Sequence, residues 1–180
     1  MRAIVVYESM YGNTRHVAEA IARGIDPAGN VPVLPVSNTE AIDPGDLDLL
    51  VVGGPTHVHA MSRESTRNAA RTAASDLAGG LLLEPDAAGE GIREWLASFS
   101  RAGGMAAAFD TRFDAAPLLT GRASKGISRL LRKSGFELAA PPESFLVDKA
   151  THLLAGEEQR AQEWGARLRT TPPDAPGGSE

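Results

Sequence analysis

Between Val5 and Ile25 the chain reads VVYESMYGNTRHVAEAIARGI, and its middle carries residues able to hold a ligand. Ser9, Tyr11 and Thr14 bring hydroxyls, Gly12 brings backbone freedom, and the loop Glu8 to Thr14 contains no lysine. A loop that leads from a strand into a helix presents unpaired backbone N–H groups and the positive end of the helix dipole. Together these hold a phosphate without a cation, and glycine allows the close approach that a bulkier residue would obstruct. The plainer reading is a well-capped helix start, with Thr14 as the cap. His57 and His59 are a second pair of interest, since imidazoles two apart can share an ion. No acidic or further histidine cluster accompanies them, so no metal is expected.

Other phosphate loops fail on their own patterns. A triphosphatase loop needs G-x-x-x-x-G-K-[ST]; Gly121 and Gly126 have that separation, but Ile127 stands where the lysine should be. A dinucleotide fold needs G-x-G-x-x-G after its first strand, where only Gly12 occurs. A phosphorelay receiver needs an aspartate at the end of the third strand, where Gly53-Gly54-Pro55 stands.

The elements that must position these residues follow from hydrophobic periodicity. Arg2–Tyr7 is a short apolar run rich in β-branched residues, a buried strand. Thr14 to Ile25 places Val17, Ile21 and Ile25 on one helical stripe. PVLPV, Pro32 to Val36, is a strand held to the sheet edge by its prolines. Asp48–Gly54 is a third strand, buried on both faces. A loop PTHVHAMS follows, then a helix through RESTRNAARTAA, then an insertion or long loop from Ser75 to Glu90. Ile92, Trp95, Leu96 and Phe99 are core anchors of another helix, and Met105–Phe109 is the fourth strand with a loop from Asp110 onward. FELAAPPESFLV is a fifth strand interrupted at Pro141-Pro142, and EEQRAQEWGARL is the closing helix. Strands alternating with helices predict one three-layer α/β domain, residues 1–169, followed by a disordered Pro/Gly-rich tail, 170–180. Ligands in such open sheets bind beyond the carboxyl ends of the strands, which here gathers the loops after strands one, three and four.

ESMYGNT, Glu8 to Thr14, resembles the flavodoxin phosphate loop, a Ser/Thr-rich run ending in or near Gly-Asn-Thr. VVGGPTHVHAM, Val51 to Met61, looks like the second flavin loop, where Gly-Pro-Thr recurs in flavodoxin-like quinone reductases. Those reductases also use the Ser-Met-Tyr-Gly form seen at Ser9–Gly12. AAFDTRF, Ala107 to Phe113, falls where the family places its third flavin-contacting loop. The resemblance runs from Met1 to about Leu168 and implies a doubly wound five-stranded parallel sheet of order 2-1-3-4-5.

It further implies FMN, its phosphate on Ser9, Met10, Tyr11, Gly12, Asn13 and Thr14. The ring would lie between Pro55, Thr56, His57, Val58 and His59 on one side and Asp110, Thr111, Arg112 and Phe113 on the other. Thr56, His57 and nearby backbone would bond the ring's polar edge. Two departures stand out. Many flavodoxins sandwich the ring between Trp and Tyr, whereas the second loop here offers only His57 and His59, and Phe109 or Phe113 would supply one aromatic face unless they are core. Glu8 occupies a place usually held by a small residue, and would repel a phosphate unless it caps or pairs elsewhere.

For function, the resemblance implies an FMN-binding carrier of electrons between a reductase and an acceptor protein. Its alternatives are an NAD(P)H-dependent quinone or small-electrophile reductase, with Arg112 and the basic helix meeting the nucleotide's phosphates, and an interaction module that has lost the flavin. Arg15, Arg63, Arg67 and Arg112 balance Glu8, Glu64, Asp110 and Asp114 around the loops. A reduced, anionic flavin would therefore be disfavoured less than in acidic flavodoxins.

Composition narrows the rest. A net charge of −5 over 180 residues argues against a general nucleic-acid binder. No apolar run approaches the roughly 20 residues of a membrane helix, no signal-peptide pattern opens the chain, and the absence of cysteine excludes disulfides and thiol chemistry. These features lead to the expectation of a cytoplasmic protein without membrane insertion. The basic run GRASKGISRLLRKSG is a solvated helix face, or else a docking or phosphate-binding patch.

Overall fold

The computed structural model describes residues 1–40, 42–57, 60–63, 65, 67–68, 83–84, 89, 91–99 and 103–170. The expected tail from 171 onward, most of the 63–74 helix and most of the 75–90 insertion lie outside them.

Ala3–Tyr7 (β1) is buried at every position. Asn13–Ile25 (α1) follows, then Val33–Pro35 (β2) and Leu49–His57 (β3). β1 pairs in parallel with β2 on one side and β3 on the other. Ala60–Met61 (β4) returns antiparallel on Thr56 and His57. Beyond Ile92–Ala97 (α2), Met105–Phe113 (β5) pairs in parallel with β3. Pro117–Thr120 (α3) and Ala123–Lys133 (α4) lead to Glu137–Leu138 (β6) and Glu143–Val147 (β7), both parallel to β5. Glu157–Thr170 (α5) closes the described chain, one residue into the expected tail. With β6 and β7 as halves of one strand broken around Pro141-Pro142, the order is the expected 2-1-3-4-5.

Alternation along the strands divides the core. Val5, Tyr7, Val51, Ala107 and Phe109 lie under α1 and α5, while Ile4, Val6, Leu50, Val52, Ala106 and Ala108 lie under α2 and α4. The layers are therefore helix, sheet, helix. Two close approaches depend on glycine. A Cβ on Gly165 would stand 2.2 Å from the Ile21 carbonyl oxygen, so α5 can cross α1 only without a side chain there. A Cβ on Gly53 would meet the Phe109 ring at 2.0 Å.

Both long strands outrun their expected ends. β3 continues past Gly54 through Pro55-Thr56-His57, and β5 continues past Phe109 through Asp110–Phe113, which is strand and not loop. The reason is pairing: Gly54 and Pro55 remain in register with Asp110 and Thr111, while β7 holds Phe109–Phe113 from the other side. Pro55 is tolerated because β1 pairs no further than Gly53, leaving a free edge where its missing N–H is not needed.

Candidate functional site

At the carboxyl end of β1 the chain turns into α1 through the Ser9–Gly12 loop. Gly12 holds φ 89°, the left-handed region, at the N-cap position. Its N–H donates to Ser9 Oγ at 3.1 Å, and its carbonyl accepts from the His16 N–H at 3.0 Å. The helix thus begins at Asn13, and Thr14 is not its cap. Thr14 instead meets Thr111 of β5, hydroxyl to hydroxyl, at 2.8 Å, with both residues buried. One proton lies between the two oxygens, which leaves the other O–H able to donate elsewhere. Asn13 Nδ2 donates to the Thr151 carbonyl at 2.5 Å, and Met10 is buried against Tyr11 and Leu83.

Glu8 does not face this loop. It is 6 % exposed, and its Oε2 accepts from the Ile92 N–H at 3.1 Å, at the start of α2. Burial pushes its carboxyl above the ordinary range, against the opposing pull of the Ile92 bond and of Arg67.

A different carboxylate approaches the loop. The Glu84 N–H donates to the Met10 carbonyl at 2.8 Å. Glu84 Oε1 lies 3.3 Å from Arg15 Nη2 and 3.2 Å from where a Cβ on Gly12 would stand. The chain's own Glu84 carboxylate thus stands at the loop mouth, paired with Arg15. Glu84 falls in a stretch without periodicity, so sequence reading had no signal to bring it here; the same holds for Thr151.

The second and third segments share α4. Thr56 Oγ1 accepts from the Ala123 N–H at 2.9 Å, and Asp110 Oδ2 accepts from the Ser124 N–H at 2.7 Å. Both side chains thereby satisfy donors that the helix start leaves open. Asp110 is fully buried, its Oδ1 has no hydrogen-bond partner, and burial pushes its carboxyl up. Arg112 Nη1 donates to the Phe113 carbonyl at 3.1 Å and the Ala115 carbonyl at 2.7 Å, and lies 3.3 Å from Thr120 Oγ1. Phe109 is core, edge-on to Phe145 and Trp164, whereas Phe113 is 48 % exposed. Pro55 is half-buried at the end of β3. Val58, His59, Glu64 and the side chain of His57 lie outside the described residues. The structure therefore joins the first segment to the third through Thr14 and Thr111, and the second to the third through the start of α4.

A doubly wound parallel sheet with a glycine-bearing, hydroxyl-lined turn after its first strand defines the class. The flavodoxin family model matches residues 5–82. An archaeal flavodoxin of known structure is 20 % identical with a TM-score of 0.61, covering 94 % of this chain and 96 % of its own. Flavodoxin 1 of Bacillus cereus is 17 % identical with a TM-score of 0.60, covering 93 % and 97 %. A WrbA-like flavodoxin of Agrobacterium tumefaciens is 16 % identical with a TM-score of 0.52, covering 93 % and 94 %. No curated protein sequence matches. The fold is flavodoxin-like.

Proposed function

We propose that the chain binds FMN and passes electrons between partner proteins. The observation that carries this reading is the turn at Gly12. A left-handed glycine, the N–H groups at the start of α1 and the buried Thr14–Thr111 hydroxyl pair converge there. Those groups fit a phosphate ester: backbone donors and a free hydroxyl proton supply hydrogen bonds, and Arg15 supplies a nearby charge. Ser9 through Thr14 would hold the phosphate, with Pro55–His59 and Thr111–Phe113 beside the ring. The bound flavin supplies the redox chemistry, and the protein supplies its position and its electrostatic surroundings.

The carrier reading is favoured over a nucleotide-driven reductase by Arg112. Its guanidinium is engaged by carbonyls of its own turn and lies within reach of Thr120, so it is not held out as a clamp for nucleotide phosphates. The test is flavin titration of the apoprotein with FMN and with riboflavin, in the wild type and in Thr14→Val. The variant should weaken FMN about tenfold, the loss of a charge-assisted hydrogen bond, and leave riboflavin nearly unchanged. Equal weakening of both would overturn the phosphate role. Bleaching of the bound flavin by NADPH alone would favour the reductase.

A further inference from the structure

Beside β4 the structure opens a groove of about 520 Å³ between α3 and α4. Met61 forms part of its floor, and α4 comes against it at Gly126, where a Cβ would stand 3.1 Å from the Met61 Cε. Arg93, Arg122, Lys125 and Arg129 line the groove, and no carboxylate is among the described residues of its wall. Arg122 is engaged inside the fold, by the Ser144 hydroxyl and the Pro142 carbonyl. The other cations are not: among the described residues Arg93, Lys125 and Arg129 join no ion pair, and Arg93 Nε is buried without a partner.

The same groove has an apolar lip. Leu118 is 93 % exposed and Leu119 is 69 % exposed, both on α3. Leucines that open to water beside unpaired cations describe a contact surface, an apolar centre with a charged rim. The cations also continue past the groove, since Arg132 and Lys133 are exposed on the last turn of α4. An 11-residue helix extends about 16 Å, longer than the reach of a single phosphate group. Like-charged faces disfavour a second copy of this chain across this surface.

We propose that this face docks an acidic protein. The partner's carboxylates meet Arg93, Lys125 and Arg129, and one of its apolar side chains packs on Leu118 and Leu119. Long-range attraction steers the encounter and weakens with salt. The inference rests on the carrier reading only for what the partner does once docked, so its test is run with and without FMN and does not depend on flavin binding.

The probe is a fluorescein-labelled peptide of alternating Glu-Glu and Leu units, with its Lys-for-Glu counterpart as control. Binding is read by anisotropy at low and high salt, and contact by zero-length carbodiimide coupling to lysine. Lys125, Lys133 and Lys149 are the chain's lysines, and Lys149 lies beyond β7, outside the groove wall. The acidic peptide should bind and the basic one should not, with coupling at Lys125 in preference to Lys149. Lys125→Glu with Arg129→Glu should weaken binding at least about tenfold, and Leu118→Ser about threefold, each with an unchanged melting temperature. Absence of binding, or coupling at Lys149 alone, overturns the proposal. Displacement by millimolar inorganic phosphate or 2′,5′-ADP, with Leu118→Ser neutral, overturns it in favour of a small-anion site. A dimer in sedimentation that Leu118→Ser dissolves overturns it in favour of self-association.

Discussion

Glu8 and Glu84 are two carboxylates with opposite consequences. Glu8 is buried, and burial holds its folded-state pKa above the ordinary 4.5. The folded state therefore binds this proton more tightly than the unfolded chain, and the associated stability is fully present below pH 4.5 and is lost as pH rises through the folded value. Glu8→Gln keeps an acceptor for the Ile92 N–H and removes the charge. It should raise stability at pH 7 by about 1 kcal/mol, a shift of about 2–4 °C in melting temperature, with the gain shrinking toward pH 4. Denaturation measured from pH 4 to 8 checks this, and a gain that is constant with pH would contradict it. Glu84 sits instead at the loop mouth, beside Gly12 and paired with Arg15. A dianionic phosphate there meets one like charge too many, and Glu84→Gln also releases Arg15 toward the ligand. FMN should bind about three- to fivefold tighter to that variant, about 0.5–1 kcal/mol, while riboflavin stays unchanged. Equal gains for both flavins would show that Glu84 acts on the ring or on the fold.

At the scale of elements, the crossing of α1 and α5 is the most sharply constrained contact. A Cβ on Gly165 would lie 2.2 Å from the Ile21 carbonyl oxygen, and one on Gly24 would lie 2.0 Å from the Gln162 carbonyl oxygen. Both obstacles are backbone, so neither can rotate away. Gly165→Ala should cost about 2–3 kcal/mol through forced separation of the helices, outweighing alanine's better helix propensity of about 1 kcal/mol. Urea denaturation checks this; a neutral or stabilising result would mean that the helices slide apart freely. The long described helices and the break at Pro141-Pro142 were legible in the sequence because they follow from local periodicity and from proline's missing donor, whereas the strand order came from the resemblance of the loops and the short helix Pro117–Thr120 read as loop. What stayed hidden depends on distant partners. Asp110–Phe113 reads as a polar loop until β7 pairs with it. Ala123, 67 residues away, donates to the Thr56 hydroxyl, a bond that no local pattern announces. The first loop was legible as a loop, but Gly12, rather than Thr14, proved to start its helix, since only the backbone angle distinguishes them.

For the molecule as a whole, a net charge of −5 coexists with a basic groove at one end of the sheet. The loops read from the sequence hold cations and carboxylates in balance; Glu84 adds one carboxylate at the first loop, and Lys125 and Arg129 add two cations from the groove. Burial raises the carboxyl pKa of Glu8 and of Asp110, and Lys125 and Arg129 are exposed in the groove that also holds Ala60 and Met61. For a flavin beside the carboxyl ends of β3 and β5 these two cations add positive potential, and positive surroundings stabilise the added electrons of a reduced flavin. The two-electron midpoint potential of the FMN-loaded protein should therefore be less negative than that of flavodoxins with acidic flavin surroundings. Lys125→Glu with Arg129→Glu should lower it by on the order of tens of millivolts at low salt, and by much less at 1 M salt, where screening acts over about 3 Å. Spectroelectrochemical titration at both ionic strengths measures this. A potential that ignores both the charge reversal and the salt would place these cations too far from the flavin to act on it, and would leave the groove with docking as its whole electrostatic role.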